Sequence, residues 1–206
     1  MRRIALALAA VGALAGQAPA VGATPGPRHF VVGPGSQVGY SVAVKTLLLL
    51  DERIEARDPS VRGDLLWTGI GSPTGWVEAD VAGLDSGNRT RDGHVASMLG
   101  APAQPRLRFD LEHLDGFAPD HPDGHVTAVG TLTAHGYRVA LRVPLDYRLA
   151  GNQLRIDGAV PVHFRDFGID PPVLGLVFKR APDVLTLQIH LVATAAVDSG
   201  RQPGER

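Results

Sequence analysis

Several groups of side chains in this chain are of the types that carry chemistry. Arg91-Asp92-Gly93-His94 sets a cation, an acid and a base within four residues, the raw material of a hydrolytic site. Such a site needs a nucleophile in register, and the chain has none beside these residues, no Gly-x-Ser-x-Gly elbow and no His-Glu-x-x-His. Asp92 is therefore expected to pair with Arg91 or another cation, and His94 to cap or pin a helical segment. Asp120-His121-Pro122-Asp123-Gly124-His125 packs two His and two Asp into a loop, the donor types of a surface metal site. Asp, Pro and Gly are also what solvated turns are made of, and the loop is read as a turn. Gly69-Ile70-Gly71 with Gly75 lacks the spacing of a dinucleotide loop and reads as a turn too. His29, His94, His135 and His163 are candidate axial ligands for haem, a reading that an absorbance spectrum without a Soret band would dispose of. Cysteine is absent, which rules out a disulfide scaffold, Cys-x-x-Cys-His haem attachment and thiolate nucleophiles or metal ligands.

The 206 residues fit one domain, and 20 Lys plus Arg against 21 Asp plus Glu leave no basic excess to hold a phosphate backbone. Nucleic acid is not an expected partner. Met1-Arg2-Arg3 and the apolar run Ile4 to Gly16 have the form of a secretory signal peptide. That run has about 13 residues, short of the roughly 20 that span a bilayer. Ala18-Pro19-Ala20 and Val21-Gly22-Ala23 place small residues for cleavage after Ala20 or Ala23. We expect a signal peptide over residues 1–23, one domain over 24–197 and a frayed polar tail over 198–206. The mature chain is expected to be soluble in the periplasm or secreted; a homodimer is left open.

Period-2 patterns dominate the body of the chain. Leu185, Leu187, Ile189 and Leu191 alternate with Thr186, Gln188 and His190; Leu107, Phe109 and Leu111 alternate with Arg108 and Asp110. Tyr137 to Tyr147 and Gln153 to Phe164 alternate in the same way. Weaker alternation marks Val38 to Val44, Arg62 to Thr68, Gly75 to Val81 and Val126 to Leu132. Twenty-five Gly and 16 Pro punctuate these runs, so an all-β antiparallel fold of eight or so strands is expected, and the length of the strands favours a barrel over a sandwich. Arg89 to Leu99 is the helical segment, placed across one end. Lys45 to Asp58, with four leucines before Asp51-Glu52-Arg53, is compatible with strand, helix or a flap.

The inward-facing residues so derived are almost all apolar: Val38, Tyr40, Val42, Val77, Ala79, Val81, Leu107, Phe109, Leu111, Val139, Leu141, Val143, Ile156, Val160, Val162, Leu187, Ile189 and Leu191. They either fill a core or line a cavity for an apolar ligand. Valine and alanine outnumber aromatics among them, which leaves volume unfilled if the barrel is wide. Asp85-Ser86-Gly87-Asn88 leading to Arg91-Asp92-Gly93-His94, Pro105 ahead of Phe109, Gly130-Thr131-Leu132-Thr133-Ala134-His135-Gly136 and Asp166-Phe167-Gly168-Ile169 occur in that order, and together they resemble the YceI-like family. Where that family commonly has His-Ser, this chain has Gly35-Ser36. The resemblance implies an exported, eight-stranded, lipocalin-like barrel that binds a polyisoprenoid or similar lipid and is not an enzyme, with no cofactor or metal. A ligand chain would lie along Tyr40, Val42, Phe109, Leu111, Val139, Leu141, Val162, Leu187 and Ile189, with any polar head near the mouth.

Overall fold

A computed structural model describes residues 27–45, 51–171, 173–174, 179–180 and 182–196. The expected signal peptide and its cleavage points, residues 46–50 and the polar tail lie outside the described residues. The strands are β1 (Arg28–Val32), β2 (Gln37–Lys45), β3 (Asp51–Asp58), β4 (Arg62–Trp67), β5 (Thr74–Asp80), β6 (Arg106–Asp115), β7 (Asp123–Ala134), β8 (Tyr137–Ala150), β9 (Gln153–His163), the short pair β10 (Val173–Leu174) and β11 (Lys179–Arg180), and β12 (Val184–Ala195). The helix α1 spans Arg89–Met98. The strands read from alternation thus form, within a residue or three of the expected bounds. β1 and β3 carry no clear alternation and are located by pairing instead.

Eight antiparallel strands close a ring in the order β1-β4-β5-β6-β7-β8-β9-β12 and back to β1. The β2–β3 hairpin extends the same wall. β1 pairs with the last residues of β12 (Phe30 opposite Ala195) and β2 with its middle (Val38 opposite Ile189), so the two are halves of one interrupted strand. β4 and β3 are the matching halves beside them. Each interruption is held by a buried polar side chain. At Gly33–Ser36, the Ser36 hydroxyl donates to the Val192 carbonyl (3.1 Å) and accepts the Val192 N–H (2.9 Å), replacing a rung of the ladder. At Asp58-Pro59-Ser60, the Asp58 carboxylate, 0% exposed, accepts the N–H groups of Ser60 (2.7 Å) and Asp80 (2.9 Å). A buried charge is tolerable only when hydrogen-bonded in this way.

The two ends of the barrel are built differently. At the helix end, Asp85 exchanges both backbone hydrogen bonds with Arg57 of β3, tying the start of the helical crossover to the strand edge. Asn88 caps α1 by accepting the Arg91 N–H (3.1 Å). His94, expected to cap or pin the segment, is instead exposed on the helix. None of the residues of α1 is fully buried, and Met98 and Leu99 touch the core from its last turn. A 3-10 turn at Phe164–Phe167 buries Phe164 and Phe167 under the same end. The β7–β8 hairpin turns through His135 (φ 48°) and Gly136 (φ 80°), the two successive positive φ values of a type I′ turn. Its His135 Nδ1 lies 3.0 Å from the Phe167 carbonyl, joining that hairpin to the 3-10 turn. Tyr137, which shares the parity of the apolar residues of β8, is 48% exposed: it lies at the strand's first position, stacks on His135 and covers Gly168.

Candidate functional site

Inside the ring runs an elongated cavity of about 280 Å³ whose wall reaches from Tyr40, Leu99 and Phe167 at the helix end to Trp67, Phe117 and Tyr147 at the other. Its size is close to the lower edge of the roughly 300–1,000 Å³ typical of ligand sites. The strands place the lining by simple alternation. On β8, Leu141, Val143, Leu145, Tyr147 and Leu149 face the cavity while Arg142, Pro144, Asp146 and Arg148 are exposed outside. On β6 the alternation changes parity at a bulge between Leu111 and His113, so that Leu114 faces inward in place of His113.

A filled barrel would bury its inward leucines and phenylalanines completely. Here Leu107, Phe109, Leu111, Leu141, Leu145, Leu185, Leu187 and Ile189 face the interior and are only half-buried. The surface they keep faces the cavity, which is the arrangement of a hollow barrel. Of the residues singled out from sequence, Tyr40, Phe109, Leu111, Leu141, Val162, Leu187 and Ile189 border the cavity. Val42 and Val139 do not: they pack into the cluster of Phe164 and Phe167, where the interior is filled. Val81 is also buried off the cavity, in a 3-10 turn after β5.

Glu78 and Gln188 are the polar residues along the middle of the wall, and the remaining polar groups gather at the ends. At the helix end, burial pushes the Tyr40 phenol above its usual pKa, with Arg91 pulling it down and Asp92 pushing it up. Arg91 and Asp92 are joined through one hydroxyl. Ser86 Oγ accepts from Arg91 Nε (2.8 Å) and donates to Asp92 Oδ1 (2.5 Å), and Arg91 also donates to the Ser86 carbonyl (3.0 Å). This cluster fastens α1, and with His94 exposed it does not form the acid, base and cation of a hydrolytic site. The opposite end is closed by aromatic rings: Trp67 meets Phe117 edge-on at 5.9 Å, and Phe117 lies 6.1 Å from Tyr147. Trp67 Nε1 donates to the Gly71 carbonyl (3.1 Å), while burial, then Asp123 and Asp120, raise the Tyr147 pKa.

The histidines considered for haem are dispersed. His29 is bound to Asp64 on the outer wall (2.6 Å), His94 is on the helix, His135 is in the hairpin turn, and His163 lies 3.7 Å from Asp183. His125 and His190 each pair with a single carboxylate, Asp146 and Asp157. Among the described residues no group of three or more His, Asp or Glu side chains is arranged to hold a metal ion. The wall residues that sequence reasoning left out are Arg28, Trp67, Phe117 and the lower wall of β8. Arg28 shares parity with Phe30 and Val32, a signal that a five-residue strand makes too short to read.

The segments quoted above as a resemblance converge on the helix end, where Asp85-Ser86, α1, Pro105, His135-Gly136 and Phe167-Gly168 are tied together. A family model described as the YceI-like domain matches residues 36–193. Comparison with curated proteins gives no match. Among solved structures, a polyisoprenoid-binding domain from Saccharophagus degradans, implicated in plant cell wall breakdown, superposes with a TM-score of 0.66 at 14% identity, covering 82% of this chain and 98% of that one. BcnA of Burkholderia cenocepacia superposes with a TM-score of 0.61 at 19% identity, covering 77% and 96%. At such identities the likeness is one of fold.

Proposed function

Because the chain belongs to the YceI-like domain family, whose model spans most of it, we propose that the barrel binds a polyisoprenoid or comparable long apolar amphiphile in its interior. The observation that carries this reading is the row of half-buried leucines, isoleucine and phenylalanine around a cavity whose wall is predominantly apolar. The Saccharophagus degradans domain, of the same fold, is named for polyisoprenoid binding. Burial of the ligand's apolar surface at about 25 cal/mol per Å² supplies the driving force, from which the cost of association is subtracted. At its helix end Arg91, Ser86 and Asp92 hold each other, which supports a binding role for the site. The basic, apolar and short leader supports export, with the mature chain beginning near Val21 or Thr24. No helix among the described residues is long and apolar enough to cross a membrane.

Native mass spectrometry and solvent extraction of protein purified from its own source test the function and read the mature N-terminus at once. An adduct mass matched by an extractable isoprenoid is expected. A homogeneous ligand-free mass, no extractable lipid and no displacement of a fluorescent lipid probe would defeat the reading.

A further inference from the structure

The wall of the cavity carries a guanidinium at the end closed by Trp67. Arg28 occupies the first position of β1, and side chains alternate along a strand: Phe30 and Val32 are buried on its face, whereas His29 and Val31 are exposed on the other. Its register partner is Trp67, and it borders the cavity together with Trp67, Phe117, Tyr147 and Leu149. The arginines on the outer face of β8 are paired: Arg142 binds Asp115 (2.6 Å) and Arg148 lies against Asp123 (3.8 Å). The other strongly charged group of the wall, Glu78, is held by Arg62 (3.1 Å) and Arg108 (2.9 Å). Among the described residues Arg28 has no such carboxylate within salt-bridge distance. A half-buried guanidinium on a largely apolar wall forgoes some of its hydration, and its planar fork of donors matches the paired oxygens of a phosphate or carboxylate.

We propose that Arg28 is the head-group anchor of this barrel: it binds the anionic oxygens, phosphate or carboxylate, of an amphiphile whose apolar chain runs from the Trp67 end toward α1. The proposal rests on the lipid-binding reading and adds to it the polarity of the ligand and the charge of its head. Asp123 at the start of β7 and Asp120 in the loop before it stand at the same end, and their negative charge favours a single acid group over a diphosphate.

The test measures displacement of the neutral fluorophore N-phenylnaphthylamine by farnesol, by farnesyl monophosphate and by inorganic phosphate, in the wild type, Arg28→Gln and Arg28→Lys. The two isoprenoids share one chain, so their ratio isolates the head. In the wild type the monophosphate should displace the probe at about tenfold lower concentration than the alcohol, the size of one charge-assisted hydrogen-bonded pair. Arg28→Gln should abolish that preference and leave farnesol unchanged; Arg28→Lys should keep part of it. Inorganic phosphate should not displace the probe. Equal displacement by both isoprenoids in the wild type, a preference that survives Arg28→Gln, or a parallel loss of farnesol binding would each overturn the assignment. Displacement by inorganic phosphate alone would make the site one for free anions and overturn it as well. If neither isoprenoid enters the wild type, the lipid-binding reading itself fails, an outcome visible before any variant is compared.

Discussion

Replacing Leu141 with tryptophan adds volume at a point where the wall faces the cavity. The added volume is about 60 Å³, the share of two water molecules at about 30 Å³ each. That is about a fifth of the 280 Å³ interior. In a hollow barrel the indole occupies existing space, so the midpoint and slope of urea unfolding should stay within about 0.5 kcal/mol of the wild type. The ligand loses what the indole gains. Two methylene-sized groups at about 0.8 kcal/mol each amount to about 1.6 kcal/mol, a roughly fifteenfold weaker displacement of a fluorescent lipid probe. A tightly filled core responds the opposite way, with overpacking costing about 1–3 kcal/mol of stability. A variant that loses that much stability while the probe binds unchanged would refute the hollow-barrel argument. Unchanged stability together with unchanged affinity would place the ligand elsewhere.

Asp58→Ala removes the partner of two part-buried N–H groups, those of Ser60 and Asp80, and should cost about 1–3 kcal/mol in urea unfolding; a loss below about 0.5 kcal/mol would show that water replaces the carboxylate. At Glu78, desolvation raises the pKa, but the hydrogen bonds of Arg108 and Arg62 outweigh it and hold the carboxyl below the usual glutamate range. Its contribution to stability is therefore complete above the unfolded value of about 4.3 and lost as pH falls through the folded one, so wild type and Glu78→Gln should differ at neutral pH and converge in acid. A constant difference across that range in acid unfolding would contradict this. Phe117→Ala opens the aromatic closure between Trp67 and Tyr147 and should raise the association and dissociation rates of the probe together in stopped-flow traces; unchanged rates would exclude this end as the entrance.

The strands that were legible in the sequence are those with one wet and one apolar face over many residues, such as β8 and β9, because exposure alternates along almost their whole length. β1 has five residues, and β3 reads Asp-Glu-Arg-Ile-Glu-Ala-Arg-Asp, where charges on both parities hide Ile54 and Ala56. Only pairing with β2 identifies it. The bulge in β6 hid Leu114 for a related reason, since a period-2 count fails wherever one strand carries an extra residue. α1 was expected over Arg89 to Leu99 and spans Arg89–Met98, and the absence of fully buried residues in it explains why no 3.6-residue stripe advertises it. The composition of the cavity could be read from the inward list; its hollowness could not, because that depends on how far apart the walls stand. Arg28, at the start of a five-residue strand, belongs to no run long enough to give it a face, and Trp67 lies near the end of the weak run Arg62 to Thr68.

The strand β12 is the partner of three others. β12 pairs with β1, β2 and β9, so the ring cannot shut until β12 has been made. Before that moment the open rims of β1, β2 and β9 present unsatisfied N–H and C=O groups, the feature by which sheets recruit one another and aggregate. Closure joins residues near opposite ends of the chain, such as Phe30 and Ala195, and a contact of that separation is slow to form. Loss of β12 by truncation or a premature stop would leave three sticky edges in place of a shortened barrel. Its product belongs to the quality-control machinery, with no partial binding activity to rescue it.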